Sequence, residues 1–279
     1  MVDLETINAY MARVTETETV VHKPVSDKLK VGVDLGTAYI VIVVLDEDNN
    51  PVACEKQFAQ VLKDGVIVDY AGACGIVRKL KKKLEERLGT ELEYAAIAMP
   101  AGTESSTKTH KYCVEGAGFD VTNVLDEPTA ANSIYGITDG VVVDIGGGTT
   151  GLAIFKDGKV VEVDDEPTGG THLSLVLAGS YGISFEDAEK IKTDYSRHRE
   201  ILPIVKPVIE KMATIVKKYT SKYNIDTIYL CGGTCCLTGM EKIFEDTVGI
   251  KTIKPADPFL VTPTAVSYTH LTLPTKARV

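Results

Sequence analysis

The chain has 279 residues, 44% of them hydrophobic and 25% charged, and its 39 acidic against 30 basic side chains leave a net charge of −9. That length exceeds one ordinary domain and accommodates two cores, each with its own sheet. The acidic balance offers no basic footprint for nucleic acid or an anionic membrane surface, and the 6 cysteines without a leading secretory stretch predict a cytoplasmic chain with reduced thiols.

Residues 1–29 are polar and charged, and predict an appendage with a short helix at about residues 7–14. From Lys30 the pattern alternates. Strands are expected at 30–34, 40–45 and 52–58, then a helix at 75–88 in which Val77, Leu80, Leu84 and Leu88 recur every three or four residues before Gly89 stops it. A strand at 94–99 ends at Pro100, a helix follows over 105–117, and a short strand at 123–125 leads into a helical stretch from Asp126 to Asn132. A second series then begins, with strands at 140–144, 151–155 and 160–164, the last two turning at Asp157-Gly158. Ser184-Phe-Glu-Asp187 has the form of a capping box opening a helix over 185–192, and a longer helix runs from Pro207 to Lys222 with proline in its first turn. Residues 226–231 read as a strand, Gly232-Gly-Thr234 as a turn, and 239–247 as a helix closed by Gly249. The division expected is an extension at 1–29, a first lobe at 30–139, a second at 140–264, and a foreign tail at 265–279 standing where a last helix would pack on the first lobe.

One loop occurs twice. Val31-Gly-Val-Asp34-Leu-Gly-Thr37 is echoed by Val141-Val-Val-Asp144-Ile-Gly-Gly-Gly-Thr149, each a buried strand ending in Asp, Gly and Thr at a turn. Glycine lets backbone approach a phosphate, the N–H groups and the Thr hydroxyl donate to its oxygens, and the Asp orders a hydrated cation. The expected ligand is therefore a nucleotide with Mg²⁺, the ion held through water by Asp34 and Asp144, and the phosphates cradled by Gly36, Thr37, Gly146, Gly147, Gly148 and Thr149; the resemblance given below makes it ATP or ADP. Gly232 and Gly233 would let adenosine pass close to backbone, and Glu189 and Lys192 would reach its base or ribose. The bland alternative makes both Asp residues, and the pairs Gly169-Gly170 and Gly232-Gly233, ordinary turn residues. Cys231, Cys235 and Cys236 lie close together, but their spacing is poor for zinc and they read as plain thiols.

In order, Asp34-Leu-Gly-Thr37, Asp126-Glu-Pro-Thr-Ala-Ala131, Asp144-Ile-Gly-Gly-Gly-Thr149 and Leu230-Cys-Gly-Gly-Thr234 resemble four motifs of the actin, Hsp70 and sugar-kinase superfamily. These are its first phosphate loop, connecting helix, second phosphate loop and adenosine motif. Gly65-Val-Ile-Val-Asp-Tyr70, Ile76-Val-Arg78, Thr168-Gly-Gly170 and Ala188-Glu-Lys-Ile-Lys192 further resemble the ethanolamine-utilization EutJ family, over about residues 30–264. The resemblance implies an α/β fold of two actin-like, ribonuclease H-like lobes with a nucleotide cleft between them. It implies a catalytic set of Asp34, Glu127 and Asp144, with Glu127 positioning the attacking water, and adds Gly169 and Gly170 to the nucleotide contacts. It also implies a chaperone-type protein of the bacterial microcompartment, with ethanolamine ammonia-lyase or microcompartment components as protein clients. The lysine that Hsp70 proteins carry in the first lobe has no secure counterpart, so a weak ATPase is expected. An actin-like filament scaffold and a sugar or acyl kinase are the alternatives.

Overall fold

The β-branched runs form two five-stranded sheets of identical topology in the computed structural model, which describes residues 2–100 and 104–270. The chain enters through α1 (Leu4–Glu16) and builds β1 (Leu29–Leu35), β2 (Tyr39–Asp46), β3 (Pro51–Phe58) and a small hairpin, β4 (Leu62–Lys63) with β5 (Val66–Ile67). It continues through α2 (Tyr70–Leu88), β6 (Tyr94–Met99), α3 (Glu104–Gly116), β7 (Asp120–Asp126) and α4 (Glu127–Tyr135). The first sheet runs β3-β2-β1-β6-β7, with β1 antiparallel to β2 and parallel to β6. The second half supplies β8 (Gly140–Ile145), β9 (Thr150–Lys156), β10 (Lys159–Glu166), α5 (Gly170–Tyr181), α6 (Phe185–Thr193) and α7 (His198–Thr220). It closes with β11 (Thr227–Cys231), α8 (Met240–Val248), β12 (Lys251–Ile253) and α9 (Val261–Thr269). Its sheet order is β10-β9-β8-β11-β12, with β8 antiparallel to β9 and parallel to β11, so the repeated loop belongs to a repeated fold.

Several boundaries differ from the sequence reading for local reasons. α2 starts at Tyr70 rather than residue 75, because Asp69 caps it by accepting from the Gly72 N–H at 2.9 Å. α7 begins at His198 and carries Pro203 and Pro207 inside it, the buried Ile201, Val205, Ile209 and Met212 offsetting the backbone bonds that the prolines forgo. α5 was not anticipated: Leu173 and Leu177 are buried while Leu175 is 55% exposed, and apolar side chains on both faces hide the helical period. The β4–β5 hairpin also escaped, its two-residue turn taking positive φ at Asp64 and Gly65.

Each sheet has its own core, one beneath α2 and α3 and the other around α5, α7 and α8. A third core joins the lobes: Val41, Val43 and Cys54 of the first sheet meet Val142, Ala153 and Tyr229 of the second, with Ala131 and Tyr135 of α4 between them. The expected appendage is part of it. α1 buries Ile7, Met11 and Val14 there, and its Tyr10 hydroxyl donates to Asn49 O at 2.8 Å. On the other side the Ala256 N–H donates to Asn8 Oδ1 at 2.7 Å, and the Thr15 hydroxyl donates to Asp257 Oδ2 at 2.7 Å. The turn after α1 is fixed to the first lobe, where Arg87 and the Cys54 N–H both donate to Thr17 O. A helix, α9, stands at the start of the stretch that the sequence reading set apart as a tail. α9 packs on β1, β2, β6 and α4, and includes residues 265–269 of the expected foreign tail; residues 271–279 lie outside the described part. A layer of small residues, Ala96, Ala98, Ala130 and Ala265, lies between β6, α4 and α9.

Candidate functional site

The first strand of each sheet ends on an aspartate: β1 carries Asp34 and β8 carries Asp144. The turns beyond them open on one cavity of about 350 Å³ between the lobes. Asp34, Gly36, Thr37, Glu127, Asp144, Gly146, Gly147, Gly148, Thr149, Glu189, Lys192, Gly232 and Gly233 all line it. Gly169 and Gly170 do not. They brace the second loop from behind, with the Gly170 N–H donating to Gly146 O at 3.0 Å and the Thr171 N–H to Gly147 O at 2.8 Å.

Two glycines are required by close approach. A side chain at Gly148 would place its Cβ 2.6 Å from Thr37 Oγ1 and 2.9 Å from the Asp64 Cα, so the two loops and the β4–β5 tip converge where only backbone fits. Gly232 has φ 92°, and a Cβ there would collide with Asp144 Oδ1. The adenosine-type turn is tied to the second loop by the Thr234 hydroxyl, which donates to Gly146 O at 2.7 Å.

Glu127 reaches the cavity as the first residue of α4, whose cap is Asp126 accepting from the Thr129 N–H at 2.8 Å. It joins a crowd of acids. Burial and the charge of Asp144 push the Asp34 carboxyl up to about 7. Burial, then Asp144, Asp34 and Asp165, hold Glu127 well above the usual carboxylate range. Burial raises Asp144 as well, against hydrogen bonds from Thr262 of α9 and Cys231. Asp165 was missed in the sequence. It faces Gly151 across the β9–β10 ladder, burial pushes its carboxyl up to about 7, and its buried Oδ1 has no hydrogen-bond partner. The only clue was the hairpin register, which sets an acid opposite a glycine beside the second loop.

At the other end of the cleft, Lys192 Nζ lies 2.7 Å from Glu189 Oε2, and the Ser174 hydroxyl donates to the same carboxylate at 2.6 Å. Burial lowers the Lys192 pKa against the pull of Glu189. Thr15, Glu18, Lys56 and Phe259 also line the cavity and were not singled out in the sequence, and Gly65, noted there only as part of a family-like stretch, lines it too. Cys231 and Cys235 are buried and Cys236 is half-buried, and burial raises all three thiols. Among the described residues, no three His, Cys, Asp or Glu side chains converge as a direct metal cage, and no helix is long and apolar enough to cross a membrane.

The family profile described as type IV pilus assembly protein PilM matches residues 109–272. The chain is 42% identical over 240 residues to the ethanolamine utilization protein EutJ of Escherichia coli (strain K12), covering 86% of this chain and 85% of that one. It superposes on the crystal structure of EutJ from Carboxydothermus hydrogenoformans with a TM-score of 0.89 and 48% identity, over 95% of this chain and 98% of that one. MreB5 of Spiroplasma citri bound to ADP has a TM-score of 0.68 at 18% identity, over 87% of this chain and 96% of that one, which shows the actin-like fold.

Proposed function

This chain belongs to the EutJ family, within the Hsp70 and actin-like superfamily, and from that premise we propose that it binds Mg-ATP between its lobes and hydrolyses it slowly. The observation that carries the reading is the convergence of two Asp-Gly-Thr loops from separate sheets on one cleft, with Glu127 between their acids. The residues fit a polyphosphate with a divalent cation. The convergence at Gly148 leaves room for backbone donors but not for side chains, and the crowded carboxyls, with Asp165 Oδ1 unpartnered, lack a compensating positive charge.

Bound through water to Asp34 and Asp144, magnesium would neutralise charge on the β- and γ-phosphates. Thr37, Thr149 and the N–H groups of Gly36, Gly147 and Gly148 donate to the phosphate oxygens, while the Gly146 N–H closes the second loop on Thr149 O. Glu127 accepts a hydrogen bond from the attacking water and orients it; with a divalent cation among these acids its carboxyl returns toward the ionised form that a general base requires, help worth about 10²–10⁴-fold. Glu189, Lys192, Gly232 and Gly233 hold the nucleoside. Slow turnover follows from the cations: among the described residues the lysines lining the cleft, Lys56 and Lys192, are each already paired, with Glu18 and Glu189. The biological role we propose is chaperone-type. The lobes grip a protein client differently with ATP and with ADP; the family's name points to ethanolamine utilization, and the clients we propose are an enzyme of that process or a microcompartment component, in the cytoplasm.

Calorimetry and phosphate release test the reading on purified protein. Mg-ATP should bind and raise the melting temperature by several degrees, Asp144→Asn should lose at least about tenfold in affinity, and Glu127→Gln should bind normally while losing most turnover. Equal stability with and without nucleotide overturns it.

A further inference from the structure

The wall beyond the adenosine-type turn is built from parts of the chain that carry no phosphate loop. A Cβ on Gly233 would lie 3.0 Å from Phe259 Cδ2, so that ring abuts the turn. Lys56 Nζ, from β3, sits 5.0 Å from the centre of the same ring, and Glu18 Oε1, from the turn after α1, lies 2.7 Å from Lys56 Nζ. Tyr39 completes the group, its ring edge-on to Phe259 at 5.3 Å. Because Tyr39 lies two residues beyond Thr37 of the first phosphate loop and Phe259 abuts Gly233, this wall runs from the phosphate loop to the nucleoside turn.

Its chemistry suits a neutral, hydroxyl-rich group. Two aromatic rings give an apolar floor, and above it stand one carboxylate and one ammonium, 25% and 34% exposed. A carboxylate repels phosphate, so Glu18 disfavours a reversed ligand. Adjacent hydroxyls, by contrast, donate well to a carboxylate, and such charge-assisted bonds are the strong ones. Lys56 is not free to serve the phosphates; paired with Glu18 and resting on Phe259, it fixes the direction of that carboxylate.

We propose that Glu18, aimed by Lys56, is a specificity-determining residue for the sugar of the bound nucleotide: it accepts from the ribose hydroxyls and so selects ribonucleotides over 2′-deoxyribonucleotides. Lys56 is a positioning residue. This assignment rests on the nucleotide reading of the cleft. It gives the N-terminal segment a share in binding as well as in packing, since the turn carrying Glu18 is anchored by Arg87 and Cys54 through Thr17 O.

The experiment is calorimetric titration of the full chain with Mg-ATP and with Mg-2′-deoxyATP, for wild type, Glu18→Gln and Lys56→Gln. Wild type should prefer ATP by about tenfold, the worth of one charge-assisted hydrogen bond at a partly exposed site. Glu18→Gln should shrink that preference to about twofold or less, and Lys56→Gln should reduce it partway. The preference is a ratio within one preparation, so a general loss of stability in a variant does not mimic the result. Equal affinities in wild type, or an undiminished preference in Glu18→Gln, overturn the assignment while leaving nucleotide binding intact. Binding of neither nucleotide by wild type removes the nucleotide reading, and this inference with it.

Discussion

His198 has both ring nitrogens committed at the start of α7. The Thr238 N–H donates to Nδ1 at 3.1 Å, which leaves the proton on Nε2, facing Lys192 O at 3.1 Å. The residue is 3% exposed, and burial lowers its pKa below the ordinary 6.5, the Lys192 carbonyl opposing and Lys254 adding to the fall. The unfolded chain therefore binds this proton at higher pH than the folded one. The neutral ring's stabilisation is complete above about 6.5 and is lost as pH falls below it. Melting temperature should drop from pH ~7 to ~5 more steeply in wild type than in His198→Gln, as scanning calorimetry would record; equal slopes would remove His198 from the account. Single residues also show where sequence reading stops. That Asp34, Glu127 and Asp144 would meet on one cleft was legible because each lies inside a contiguous motif. Asp165 acquires its setting from a strand register, and Glu18 and Lys56 meet only when the first turn of the chain lies beside β3. No spacing along the sequence encodes either meeting.

Elements with a clean period were read well, and those with a mixed one were not. β2 alternates little because both faces are buried, yet its β-branched run is unmistakable, whereas α5 and the proline-bearing start of α7 look irregular in one dimension. α1 is the instructive case. Its helix was visible, but its docking was not, since three apolar side chains in a charged segment are weak evidence of a partner. Met11 is fully buried between the lobes, so Met11→Ala should cost about 2–5 kcal/mol in urea denaturation. A loss below about 1 kcal/mol would return α1 to the status of an appendage.

Across the whole molecule, the two-lobed architecture was foreshadowed because the same strand-and-loop pattern occurs twice in the sequence. The bridges between the lobes were not, because α1, α4 and α9 come from distant parts of the sequence. The third core, shared by both sheets, makes the lobes one cooperative unit. Thermal unfolding should be a single transition with matching calorimetric and van't Hoff enthalpies, moving upward as a whole with Mg-ATP; two resolved transitions would contradict the shared core. The small-residue layer has a related consequence. Ala130 of α4 and Ala265 of α9 lie against Ala96 and Ala98, with the larger Val266, Leu125 and Ile134 packed among them, so α9 comes close to the first sheet. There it acts as a strap between the lobes: its Thr262 hydroxyl donates to Asp144 of the second sheet and its Ser267 hydroxyl to Val43 O of the first, so any shift of one sheet against the other is borne by this one helix.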